Sequence, residues 1–175
     1  METERLIMRR WRDEDREPFA AMNADPEVME HFPALLTREQ SDAMVDTIEQ
    51  QFDRLGYSWW ALEVRESGQF IGFTGLALQT FDLPFLPAVE VGWRLARPAW
   101  GHGYAIEAAR EAVRYAFEEA GLDDIISMTA MRNTRSQAVM KRLGMTRDPA
   151  EDFDHTRLPA DSPLLRHVLY RLKRP

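Results

Sequence analysis

The sequence predicts a mixed α/β domain: a largely antiparallel central sheet with helices on its faces. Three observations lead there. Apolar residues are 45% of 175 and cysteine is absent, so one sizeable core must form without disulfide staples. The hydrophobic period shifts from helical spacing in the first third to alternation in the middle. A strand, glycine loop, helix and strand then follow in order, the pattern of a parallel crossover.

Leu6 and Met8, and with them Trp11, alternate with arginine as a first strand. A helix follows over Asp13–Ala24, and the Asp25-Pro26 step begins a short second one. Thr37-Arg-Glu-Gln40 has the form of a capping box; behind it Met44, Ile48, Phe52 and Leu55 recur at helical spacing until Gly56. Trp59–Val64 and Phe70–Leu78 pair through a Ser67-Gly68 turn, and Ala88–Leu95 is the next strand. Ile106, Ala109, Val113 and Phe117 form one face of a helix that ends at Gly121. Ile126, Met128 and Ala130 alternate as a strand, Ser136–Leu143 is a short helix closed by Gly144, and 149–163 reads as loop. Val168, Tyr170 and Leu172 make the last strand. No repeat or linker divides the chain, so one domain over residues 1–175 is expected.

The net charge of -7 argues against general nucleic-acid binding. From Arg97 to Arg147 the chain carries eight Lys and Arg against six Asp and Glu, a local excess that suits a compact anion. The N-terminus lacks the basic start and apolar run of a signal peptide, and no stretch approaches the roughly 20 apolar residues of a membrane span. A cytoplasmic protein is expected.

Gly101 and Gly103 stand between a strand and a helix. Glycine lets successive N–H groups turn toward one point, and a helix N-terminus adds unpaired donors, so the loop can cradle a pyrophosphate. The same glycines also serve a tight turn on steric grounds alone. No Gly-Lys-Ser/Thr follows, and position 106 is Ile rather than the third glycine of a dinucleotide fingerprint. Further on, Asn133 and Ser136 bracket a helix start, where short polar side chains ordinarily cap.

Trp100-Gly-His-Gly-Tyr-Ala-Ile-Glu-Ala108 and Asn133-Thr-Arg-Ser136, followed by Val139, Met140, Leu143 and Gly144, together resemble the GNAT superfamily of N-acetyltransferases, in its RimJ/RimL-type branch. Thr3-Glu-Arg-Leu6, Asn23-Ala-Asp-Pro26-Glu-Val-Met29 and Ile71-Gly-Phe-Thr-Gly75 extend the likeness over nearly the whole chain, with Met145 where the branch carries Phe. The resemblance implies the GNAT fold, with strands splayed at the acetyl-CoA site. Val91, Trp93, Arg94 and Leu95 would form the strand beside the pantetheine. The pyrophosphate would lie on the N–H groups of Trp100, Gly101, His102, Gly103, Tyr104 and Ala105. Asn133 and Ser136 would stand beside pantetheine and thioester. Trp100 replaces the Gln or Arg of many members, which leaves a side-chain phosphate contact to Arg97, His102 or Arg135.

Aminolysis of a thioester needs a neutral amine, a destination for its proton and support for the oxyanion. Deprotonating an α-amine at pH 7 costs about 1 kcal/mol, against about 4.6 for a lysine. Glu90 stands where the branch carries a Glu proposed as general base; a half-exposed strand carboxylate is the alternative reading. Ser136 is the candidate donor to the CoA sulfur. Direct transfer in a ternary complex is expected, without an acyl-enzyme, to a protein or peptide N-terminal α-amine. A small-molecule amine, or acyl-CoA binding without turnover, are the competing readings.

Phe32, Trp59, Phe81 and Phe85 are the candidate acceptor contacts among the aromatics, with the segments 26–37 and 80–88 over the cleft. Of Trp59 and Trp60, alternation turns one inward. His31, His102, His155 and His167 have no ligand spacing, so no metal is expected, and His155 reads as an exposed loop residue. A homodimer through sheet edges remains open.

Overall fold

In the computed structural model, which describes residues 1–175, seven strands form one sheet in the order β1-β2-β3-β4-β5-β7-β6. The strands are β1 (Leu6–Arg9), β2 (Trp59–Val64), β3 (Phe70–Gln79), β4 (Ala88–Leu95), β5 (Asp124–Ala130), β6 (Phe153–Asp154) and β7 (Arg166–Lys173). The helices are α1 (Arg16–Asn23), α2 (Arg38–Leu55), α3 (Tyr104–Glu118) and α4 (Thr134–Arg142). Every neighbouring pair is antiparallel except β4–β5, which α3 connects in parallel. No helix is long and apolar enough to cross a membrane.

Local signals explain the best-defined elements. Thr37 and Gln40 exchange the two hydrogen bonds of a capping box at the start of α2, and Gly56 ends that helix in the left-handed region at φ 78°. Trp60 is the tryptophan turned inward, packed on Phe52 of α2 and Tyr115 of α3, while Trp59 lies against Phe73 on the opposite face.

Four expectations change. Asp25-Pro26 starts no helix. The Asp25 carboxylate accepts the Glu27 N–H at 2.8 Å, an Asx turn that competes with helix growth, and residues 25–36 run as turns tied back by Leu36 N–H to the Asn23 carbonyl at 3.0 Å. Trp11 lies beyond β1, buried, and its indole donates to the Trp59 carbonyl at 2.7 Å. The buried face of α3 is an alanine stripe, Ala108, Ala109, Ala112 and Ala116, rather than the larger residues beside it. Small side chains let the helix backbone approach the sheet, so Ile106, Val113 and Phe117 fill its margins. Within 149–163, β6 pairs with β7.

Candidate active site

The sheet opens between β4 and β5. Their ladder consists of one register pair, Glu90 with Ile126, and beyond it the two strands carry no shared pairing. Strand backbone alternates in direction, and Ala96 N–H donates to Ile71 on β3. The N–H and C=O of Val91, Trp93 and Leu95 therefore point into the gap. Leu95 spends its carbonyl on the Trp100 indole at 2.8 Å, which leaves Trp93 the central free pair. Arg94, in the opposite phase, turns its backbone to β3 and its side chain to the α1 face of the sheet.

Glu90 sits at the apex of the opening. Its carboxylate accepts the Met128 N–H of β5 at 3.2 Å and the Gln79 amide of β3 at 2.7 Å. Removal from water pushes its pKa up to about 7, with those two bonds opposing the rise. A carboxyl group poised there titrates across the neutral range, the requirement for a general base. Gln79 was invisible to motif reading; its signal is only its place on β3, two residues past Ala77, the register partner of Glu90.

At the wide end of the gap stands the glycine loop. Gly101 and Gly103 both have φ 82°, the left-handed region that favours glycine. The N–H groups from Gly101 to Ile106 donate to no acceptor in the chain, whereas Trp100 N–H bonds to Arg97 at 3.2 Å. The run of free N–H groups thus begins at Gly101, one residue after the Trp100 at which the expected cradle starts. Arg5 supports it from outside, donating to the His102 carbonyl at 2.9 Å and stacking on Tyr104 at 4.9 Å.

Asn133 caps α4: its Oδ1 accepts the Ser136 N–H at 3.1 Å, and its amide donates to Thr129 at 3.0 Å. Ser136 is part-buried and its hydroxyl engages no protein group. Arg135 reaches over the Trp100 ring at 4.6 Å, so the two motif segments meet across the gap. Of the cations expected to serve phosphates, Arg97 is held by Glu27 at 2.8 Å, while Arg135 has no carboxylate partner.

The four candidate acceptor aromatics divide. Trp59 lies over Gly92, where a Cβ would stand 2.9 Å from its ring, and Phe32 covers Arg94. Phe81 and Phe85 lie instead beside β6 and the residue that follows it. Phe85 packs on Phe153 at 5.0 Å, and Phe81 stacks on His155 at 4.9 Å. His155 is consequently not an exposed loop residue: it is half-buried beside His167, and burial holds both imidazoles below the ordinary histidine range. Burial holds the His31 imidazole below the ordinary histidine range, with Glu30 opposing the shift and Arg132 and Arg135 adding to it, so the 25–36 turns border the start of α4.

Residues 5–146 match the family model described as an acetyltransferase (GNAT) domain. The uncharacterized protein YkkB of Bacillus subtilis is 30% identical over 144 residues, 82% of this chain and 83% of that protein. The crystal structure of an acetyltransferase from Agrobacterium tumefaciens superimposes with a TM-score of 0.80 at 26% identity, covering 99% of this chain and 94% of that one. RimL, a ribosomal L7/L12 α-N-protein acetyltransferase in complex with coenzyme A, shares the fold, with a TM-score of 0.76 at 13% identity over 98% of this chain and 95% of that one.

Proposed function

The chain belongs to the GNAT acetyltransferase family, and on that premise we propose that it transfers the acetyl group of acetyl-CoA to an α-amine, that of a protein or peptide N-terminus. As a member of that family it is an acetyl-CoA-dependent N-acetyltransferase. The observation that carries the acceptor reading is Glu90, whose carboxyl is held near pKa 7 at the apex of the gap. A base of that strength lies closer to an α-amine, with a reference pKa of about 8, than to a lysine amine at about 10.4, which favours the α-amine as acceptor.

In this reading acetyl-CoA lies in the gap with its pantetheine along Val91, Trp93 and Leu95. Its pyrophosphate rests on the N–H groups from Gly101 to Ala105, aided by Arg135. The Trp93 N–H, directed into the gap, polarises the thioester carbonyl. The amine attacks that carbonyl and loses its proton to Glu90, directly or through water. As the tetrahedral intermediate collapses the C–S bond breaks, and the sulfur takes the electron pair while the Ser136 hydroxyl donates a hydrogen bond to it.

The test is thiol release from acetyl-CoA on peptides with free or blocked N-termini, with the acetylated atom located by mass spectrometry. Release confined to free N-termini supports the reading. Modification of lysine side chains or polyamines, with N-termini untouched, would assign the enzyme to the other amine class. Acetyl-CoA binding without turnover of any amine would favour a binding module.

A further inference from the structure

We propose that the acceptor carries a carboxylate and that the Arg94 guanidinium, on the same face of β4 as Glu90, receives it. The proposal rests on the transfer of acetyl to an α-amine argued above, and narrows the acceptor to α-amines that carry a carboxylate, whether on a peptide or on a free amino acid.

Arg94 is anomalous among the arginines. Each of the others either lies within reach of a carboxylate, as Arg9, Arg114 and Arg171 do, or is exposed, as Arg132, Arg135 and Arg157 are. Arg94 is neither. It carries five N–H donors, and one of them is used: Nη1 donates to Asn23 Oδ1 at 2.6 Å. That oxygen is neutral, and the Asn23 amide is already engaged with Ser41 at 2.8 Å. Nε is buried with no acceptor, and Nη2 bonds to nothing in the chain. A part-buried cation with unspent donors is costly unless an anion meets it.

The surroundings suit such an anion. Phe32 lies over the guanidinium at 3.9 Å and Phe73 at 5.4 Å, so aromatic rings pack against it, and the Nη2 end of its donor edge has no protein partner. That edge matches a carboxylate through two parallel hydrogen bonds. Burial lowers the Arg94 pKa to about 10, which still leaves a cation at neutral pH. Glu90 and Arg94 are four residues apart, about 13 Å between Cα atoms on one strand face. Two side chains and a small amino acid, or the first residues of a peptide, fill that span. The carboxylate has two sources of the same chemistry: the α-carboxylate of a free amino acid, or the acidic side chain of a peptide's first residues.

Calorimetric titration of the full chain saturated with CoA tests this with three acetylated product mimics. N-acetylglycine offers only an α-carboxylate, N-acetylaspartate α-amide only a side-chain carboxylate, and N-acetylasparagine α-amide neither. At least one acid probe is expected to bind about 10- to 100-fold more tightly than the asparagine amide, the strength of a charge-assisted contact, and the tighter acid names the source. Arg94→Gln should level the three, and Arg94→Lys should restore part of the preference, with thermal melting as the check on folding. Equal binding of all three to the wild type, or no binding by either acid, overturns the proposal. So does an Arg94→Gln variant that folds and keeps the preference. Acid binding that Arg94→Gln abolishes, without acetylation of any acidic amine, would instead sink the transfer reading. Efficient acetylation that ignores the carboxylate would sink the present inference alone.

Discussion

At the scale of single residues, Glu90 combines two jobs that sequence could not separate. It fills the ladder position that β4 vacates for Met128, and its carboxyl is desolvated to a pKa of about 7 from an ordinary 4.5. A raised carboxyl pKa means that folding favours the protonated form. The associated stability is fully present below the unfolded pKa and is lost as pH rises through about 7. The loss is at most about 3 kcal/mol between pH 4.5 and 7. Glu90→Gln should remove that slope, so the variant gains on the wild type in thermal melts from pH 5 to 8; parallel melting curves would mean that the carboxyl titrates normally. The sequence placed Glu90 and Ser136 by likeness to a family, and the glycines by their spacing. It could not anticipate Gln79 or the isolation of Arg94, because both depend on strand register and on which carboxylates fail to arrive nearby.

Elements were legible where a local rule decides them. The capping box of Thr37 and Gln40, the stop at Gly56 and the strands β2 and β4 all appear where the residues suggest. Elements were misread where tertiary packing decides. The α3 face is read wrongly if bulk is taken for burial, since close approach to the sheet selects its alanines. β6, with two residues, is a strand only because β7 lies beside it. The same close packing makes Gly92 of β4 informative. A methyl group there would stand 2.9 Å from the Trp59 ring, which must shift. Gly92→Ala is expected to cost about 1–2 kcal/mol of stability and to raise the acceptor KM more than the acetyl-CoA Kd. Equal effects on both substrates would place Trp59 outside the acceptor path.

At the scale of the molecule, the sheet is interrupted by design of its register: one Glu90–Ile126 pair joins its two halves, and the opening beyond it exposes backbone groups that a ligand can satisfy. Acetyl-CoA should therefore stabilise the whole fold. At 100 times its Kd the gain is about 2.7 kcal/mol, and the melting temperature should rise by about 5–10 °C; an unshifted transition would mean that the gap is not the cofactor site. The most direct test of the account is the pH dependence of kcat/KM for an N-terminal peptide amine, in wild type and in Glu90→Gln. The account predicts a wild-type limb that falls below about pH 7, as Glu90 takes its proton. In Glu90→Gln that limb should be lost, leaving only the titration of the substrate α-amine at about pH 8, with rates lower by about 10²- to 10⁴-fold. Profiles of equal height and shape in the two proteins would contradict it.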